Sequence, residues 1–479
     1  MAHRIITNIA YLLSSRIITQ LLIAFSLIYL ARVLGPKAFG ELNISIATIT
    51  YFMIIADFGL PLLGTREIAA QRTSVKFYFS NILTLRVFLA LISFILVCVL
   101  VYFLRLSTHL KYLILLYAVG LFPFSMMLDW VFQGIEKMGS IAIPRVFSTA
   151  LFVVLLLAFV RKPQHLLLVP CFQLIGNLML IASQHMIFKK QFGWITFGYH
   201  TKEWKGLIKR AFPIGLTIMM GPFLLYADTM ILGFLKGSEV VGYYNAACRI
   251  VITLAMLSIV YQDALFPVIT NYYHTSPNLF VKMESFSTKC VVSLILPVAV
   301  GGTMLAGDII GFLYGHYYHA SVIVFRILIW SFAFEAVYHI FARGLVVSNR
   351  LNQRLKVIFW VTITNILLNF LLIPSMSLKG AAIATVFSRA LGLVLFYFHF
   401  RDMLSPAIYS YLVRPLIATL VMAISLHILL HVGSLAALPL VSIGMGVYVI
   451  SFIMIKGFNR DDVYLLTRLL TDRSKTTHD

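Results

Sequence analysis

The sequence predicts an all-α polytopic membrane protein with about fourteen transmembrane helices. Three observations predict it. Hydrophobic residues make up 61% of the chain and charged residues only 11%, against about a quarter in a soluble protein. Mean hydropathy is +0.94. Apolar runs of about 20 residues, each long enough to cross about 30 Å of hydrocarbon, recur from end to end. A β-barrel would instead show short alternating segments.

The spans follow in order. The first, 5–30, is entered by His3 and Arg4 and interrupted by Arg16. No small-residue cleavage site follows a short apolar core, so it reads as an uncleaved helix. Further runs lie at 41–64, 77–104, 112–134, 141–160 and 165–188. A polar stretch then intervenes, and runs resume at 210–234, 239–271, 286–306, 321–345, 355–373 and 379–400. Two more, 409–431 and 435–456, complete the set. The polar tail, 457–479, carries a short amphipathic stretch of Val463, Leu466, Leu469 and Leu470 that reads as a surface helix.

Net charge is +21. In a soluble chain this would suggest nucleic acid. Here it reads as the Lys and Arg excess of cytoplasmic loops, and no nucleic-acid partner is expected. Placing the N-terminus in the cytoplasm collects Arg66, Lys137, Arg145, Lys189, Lys289 and Arg350 on that side with many others, a bias of roughly threefold over the outer loops. Both termini are then cytoplasmic. Cys98, Cys171, Cys248 and Cys290 fall in or beside apolar runs and read as free thiols.

The chain contains an internal repeat. Gly40 and Asn43 match Gly242 and Asn245 at one offset. Near that offset Asp57 matches Asp263, Asp129 matches Glu335, and Gly134 matches Gly344. The drift between them keeps a residue on one helix face. Residues 1–190 therefore read as an N-lobe of spans 1–6 and 191–209 as a cytoplasmic linker. Residues 210–400 read as a C-lobe of spans 7–12, and 401–456 as two added helices. Both lobes start inside, so the repeats are parallel and a substrate path would lie between them.

Charges within the spans point to function. An ionisable side chain at bilayer depth costs about 3 kcal/mol or more, so it marks a pathway, a partner or a ligand. Arg16, Arg86, Arg249 and Arg389 each lie about ten residues into a span, near mid-depth at about 1.5 Å per residue. Asp57, Asp129, Asp263 and Glu335 fall in the cytoplasmic halves. The expected pattern is a ring of arginines above a layer of carboxylates. Guanidinium stays protonated and presents a planar fork that matches phosphate oxygens. Carboxylates in a cavity can exchange protons or hold Na⁺. Together they suit a carrier of anionic polar cargo driven by a proton or Na⁺ gradient. Internal salt bridges and snorkelling to an interface are the alternative reading. His339 and His427 read as packed within helices. Pro61, Pro144, Pro213, Pro222, Pro267 and Pro297, with Gly301-Gly302, offer hinges.

The chain has no G-x-x-x-x-G-K-[ST], so it carries no ATPase of that type. HExxH, CxxC and GxSxG are missing too, and the loops are short. No enzyme activity, metal or bound cofactor is expected.

Ala31-Arg-Val-Leu-Gly-Pro-Lys-Ala-Phe-Gly40, Asp57-Phe-Gly-Leu60, Gly64-Thr-Arg-Glu-Ile-Ala69 and Gln133-Gly134 carry a resemblance. The chain resembles the polysaccharide transporter family, the Wzx-type flippases of the multidrug/oligosaccharidyl-lipid/polysaccharide (MOP) exporter superfamily. The resemblance implies two six-helix lobes around a central cavity and alternating access. It implies an undecaprenyl-pyrophosphate-linked oligosaccharide as cargo, for O-antigen, capsule or exopolysaccharide. Arg16 and Arg249 resemble, by helix and depth, the cavity arginines of lipid-precursor flippases. A monomer in the cytoplasmic membrane is expected, working beside polymerase or ligase proteins. The alternatives are a drug/cation antiporter of the same superfamily, which mid-depth arginines disfavour, and a polysaccharide polymerase or glycosyltransferase, which would want large outer loops.

Overall fold

The computed structural model describes residues 2–71, 75–193, 201–404, 408–432, 436–459 and 462. Among them all the regular structure is helical. Thirteen helical segments among the described residues are long and apolar enough to cross a membrane. The first, Tyr11–Asp57, covers both of the first two expected spans, and the other twelve match the remaining expectations one for one. The chain is an all-α polytopic membrane protein. Residues 463–479, with the expected amphipathic stretch, and 194–200 of the expected linker lie outside the described residues.

Two compact units are formed, Met1–Gly242 and Tyr243–Asp479. The first contains α1 (Ala2–Asp57), α2 (Leu60–Ala70), α3 (Val75–Phe103), α4 (Thr108–Val119), α5 (Leu121–Met126), α6 (Asp129–Gly134), α7 (Gly139–Phe159), α8 (Leu168–Phe192) and α9 (Thr201–Lys236). Helix α1 has two arms. Gly35 breaks them apart with φ 73°, where glycine alone is unstrained, and Pro36 has no N–H to continue the ladder.

The motifs have structural explanations. The second span ends early because Phe58 and Gly59 both turn through positive φ. Helix α2 then packs on α6. A Cβ on Gly64 would lie 2.4 Å from the Trp130 ring, and one on Gly134 would lie 2.8 Å from Ile68. Leu60, Leu63, Ile82, Trp130, Phe132 and Phe188 close this core. Burial of such side chains stabilises by about 1.5–3 kcal/mol each relative to exposure in water. The fourth span is not one helix, as expected. It breaks at Gly120 and again at Met127-Leu128, giving α4, α5 and α6.

The second unit contains most of α10 (Ser238–Thr275), then α11 (Pro277–Met304), α12 (Ala306–Tyr314), α13 (Ser321–Val347), α14 (Leu351–Met376), α15 (Leu378–Phe400), α16 (Ile408–Val432) and α17 (Ala437–Met454). Helix α15 packs along α13 and α14, and α11 packs along α13 and α16. A Cβ on Gly344 would overlap the Phe400 ring at 2.1 Å, so that glycine lets α13 receive it. The last two helices join through Met422, Leu426, Leu440, Tyr448 and Phe452. Large apolar side chains such as Tyr102 and Phe103, 79% and 76% exposed, suit lipid contact.

Within the first unit, Gly40 of α1 and Gly242 at the start of α10 meet reciprocally. A Cβ on Gly40 would lie 1.6 Å from the Ser238 carbonyl oxygen, and one on Gly242 would lie 1.9 Å from that of Pro36. Each obstacle is backbone, four residues before the other glycine. Gly40→Val and Gly242→Val should therefore each destabilise by about 3 kcal/mol or more. The check is the yield and thermal midpoint of the folded protein in detergent. Gly206→Ala, which meets nothing within 4 Å, should match the wild type.

Candidate functional site

The break between α5 and α6 creates the first part of the site. Non-helical backbone at membrane depth must be satisfied by protein groups. Arg86, on α3 and 3% exposed, does this. Its Nη1 donates to the Met127 carbonyl at 3.1 Å and its Nη2 to the Phe124 carbonyl at 3.1 Å. The guanidinium lies 5.6 Å from the Phe124 ring centroid. Asp57, at the end of α1, forms an ion pair with Nη2 at 2.8 Å. From α8, the fully buried Gln184 completes the repair. Its Oε1 accepts from the Leu128 N–H at 2.8 Å, and its Nε2 donates to Asp129 at 2.6 Å. Asp129 also pairs with Arg145 of α7.

The second unit repeats the use of acid and base. Asp263 of α10 pairs with Arg343 of α13 at 2.5 Å. Glu335, two turns before Arg343, lies 3.5 Å from Nε of Arg389 on α15 and 3.4 Å from His339. Nη1 of Arg389 donates to the Tyr338 hydroxyl at 2.9 Å. Arg389 is 7% exposed.

All four acids are therefore engaged by arginines, two of which, Arg86 and Arg389, were expected in a separate mid-depth ring. Arg16 is exposed on the first arm of α1, and Arg249 is half-buried on α10. Tyr314 of α12 lies within electrostatic reach of Arg249.

Sequence reasoning missed Arg343 and read Arg145 only as a loop charge. A signal for Arg343 existed: Glu335, His339 and Arg343 recur every four residues and share one helix face. Lys289, read as a loop charge, is buried. It pairs with Asp462 at 2.5 Å and lies 5.5 Å from the Phe458 ring centroid.

The Gly64–Ala69 motif forms a polar cluster outside the spans. The Thr65 hydroxyl donates to the Trp130 carbonyl at 3.0 Å. Glu67 receives Arg66 at 2.9 Å, the Tyr78 hydroxyl at 3.1 Å and Arg210 at 3.4 Å, which ties α2, α3 and α9 together. These donors, Arg66 first, hold the Glu67 carboxyl below the ordinary carboxylate range.

A sequence model described as "polysaccharide biosynthesis protein" matches residues 5–273, more than half of the chain. The chain belongs to this polysaccharide biosynthesis family. Among its relatives is a candidate O-antigen transporter of Shigella flexneri, 25% identical over 353 residues, 70% of this chain and 82% of that protein. Another, from Shigella dysenteriae, is 25% identical over 242 residues, half of this chain. That match spans 61% of the relative's own length. AglR of Haloferax volcanii, a candidate flippase, is 31% identical over 179 residues, 36% of each chain. The fold of this family member is also that of the Lipid II flippase MurJ in an inward closed conformation. The TM-score is 0.77 at 16% identity, over 93% of this chain and 98% of that one. An inward-facing multidrug resistance MATE family transporter of the MOP superfamily superposes with a TM-score of 0.65 at 14% identity, over 82% of this chain and 95% of that one. The resemblance read from the N-terminal motifs is borne out by the family match.

Arg86 joins two carbonyls and a carboxylate, which one ammonium cannot do equally. Arg86→Ala should cost about 3–5 kcal/mol by leaving the Phe124 and Met127 carbonyls and the half-buried Asp57 without their partner. Asp57→Asn also removes the countercharge of the buried Arg86, but it should cost less, because the carbonyl contacts stay and the asparagine amide oxygen can still accept from Nη2. Thermal midpoints of the two purified variants test the order, and a larger loss for Asp57→Asn would contradict it.

Proposed function

We propose that this protein is a flippase that moves an undecaprenyl-pyrophosphate-linked oligosaccharide repeat unit from the cytoplasmic to the outer leaflet of the cytoplasmic membrane. The product would feed O-antigen, capsule or exopolysaccharide synthesis. The observation that carries this reading is the family match over more than half of the chain. The O-antigen names of relatives and the MurJ-like fold support it.

The chemistry fits a carrier rather than an enzyme. A flippase forms and breaks no covalent bond in its cargo. It needs cationic groups for the head and a conformational cycle. Arg86 and Arg389 are buried among internal acceptors, so the pyrophosphate is assigned to Arg16 and Arg249. Guanidinium forks bind phosphate oxygens bidentately. The helix breaks at Gly35-Pro36, Gly120 and Met127-Leu128 supply bending points for alternating access.

The cycle is driven by a proton or Na⁺ gradient, with Asp57, Asp129, Asp263 and Glu335 as coupling or latching groups. Both termini face the cytoplasm. The protein works as a monomer, and the glycan passes to polymerase or ligase proteins.

The test is export of surface glycan in cells that depend on this protein. Arg16→Ala and Arg249→Ala should each weaken cargo capture by about 2 kcal/mol, roughly thirtyfold. Membrane abundance should be unchanged, because neither side chain belongs to the buried core. Lysine at either position should recover part of the loss, since charge returns without the fork. Normal export in both alanine variants would overturn the assignment.

A further inference from the structure

The second unit holds a cavity, mostly apolar in its lining, whose few polar groups the ion pairs do not account for. It is small, about 10 Å³, and is lined by Gln262 and Phe266 of α10, Glu284 and Ser287 of α11, and Ile340 and Arg343 of α13 among others. That is room for about one water molecule. Glu284 is 2% exposed and Gln262 4%.

Three buried polar atoms of these side chains have no hydrogen-bond partner among the described residues: Oε2 of Glu284, Oε1 of Gln262 and Nη1 of Arg343. Two are acceptors and one is a donor. Leaving a buried polar atom without a partner costs about 1–3 kcal/mol, and more for a charged group. Gln262 cannot reverse its amide to help, because Nε2 already donates to Ser258 Oγ and to the Ala336 carbonyl, each at 3.1 Å. Arg343 is divided between two places. Its Nη2 holds Asp263 at 2.5 Å, while the side chain also lines the Glu284 cavity.

We propose that this cavity is a proton-binding site, in which Glu284 carries the proton and Arg343 is shared between Asp263 and Glu284 as that proton leaves and returns. With the proton on Oε2, the carboxyl becomes a donor and Gln262 Oε1 is its acceptor. When the proton leaves to water, the carboxylate becomes an acceptor for Arg343 Nη1, and the hold on Asp263 loosens. Each state satisfies a different pair of the three atoms.

A metal cation fits less well. It would need several more oxygens and would sit beside a guanidinium. Other charged and titratable groups near the site include Tyr261 and Asp263 on α10, Cys290 on α11 and Arg354 on α14. On α11 itself, Lys289 is held by Asp462. Arg414 of α16, the helix packed along α11, donates to the Lys456 carbonyl.

This role in coupling rests on the flippase reading, but the site does not. The experiment is infrared spectroscopy of the full-length protein in lipid nanodiscs across a pH series, following the C=O stretch of protonated carboxyl groups. Glu284→Gln should remove one such band. Glu284→Asp, which keeps an acid if the glutamine variant folds poorly, should move the band without removing it. Asp263→Asn releases Arg343 to Glu284, so the band should vanish at lower pH than in the wild type. A full band in Glu284→Gln would overturn the site. A band insensitive to Asp263→Asn would overturn the shared arginine. Surface-glycan export separates the two readings. Band loss with undiminished export in Glu284→Gln would overturn the coupling role alone. A wild-type protein that supports no export would overturn the flippase reading and leave the proton site standing.

Discussion

Between α5 and α6 the backbone leaves its helical path, and the Phe124 and Met127 carbonyls turn to Arg86. In water such a break would be cheap, because solvent would complete the hydrogen bonds. In hydrocarbon each unsatisfied group costs several kcal/mol. A break in a span therefore has to recruit a side chain with several donors. Arginine is suited to this, since its fork can serve two carbonyls and a carboxylate together. The guanidinium in turn cannot stay buried as a lone charge, so Asp57 is drawn to it from the end of α1. One irregular turn thus links α1, α3, α5 and α6, and Gln184 adds α8.

The same constraint sorts the charges within the spans. A charge committed to internal partners is part of the scaffold, and Arg86 and Arg389 are of this kind. Arg16 is exposed and Arg249 half-buried, so the proposed cargo role falls to them. The chain's +21 net charge says little about the site, because many of the Lys and Arg residues lie near helix ends, as at Lys189, Lys190 and Lys236. Burial separates Arg86 and Arg389 from the other two; depth alone does not.

The apolar periodicity made the fold class and the number of crossings legible, because every crossing needs its own run of apolar residues. It did not reveal the division of the fourth span, since α4, α5 and α6 are together as apolar as one helix. Pro123 and Gly120 were visible, but many spans tolerate such residues. The four acids and Arg16, Arg86, Arg249 and Arg389 were legible as charges, while the pairing between them, and Arg343 as a partner, was not. Asp57 and Arg86 are 29 positions apart, and no local pattern joins them. Glu284 escaped because the apolar run begins after it, whereas α11 starts at Pro277 and draws it into the helix. Hydropathy marks where the oil is; it does not mark where a helix continues past it.

Ion pairs such as Asp263–Arg343 can serve a moving protein only if breaking them is not prohibitively costly. Truncating one partner of a fully buried pair costs about 3–5 kcal/mol; Asp263 and Arg343 are only partly buried, so their pair costs less to break. A second acceptor for the same arginine removes most of that penalty, since the charge is handed over rather than abandoned. Arg343 has such an acceptor in Glu284, which lines the cavity that Arg343 enters. At Arg86 the Phe124 and Met127 carbonyls and Asp57 together occupy both terminal nitrogens, while Nε has no partner among the described residues. In the proposed transport cycle the Arg86 cluster, whose three contacts would have to break together, should stay closed, and the contact between α10 and α13 is the one proposed to change.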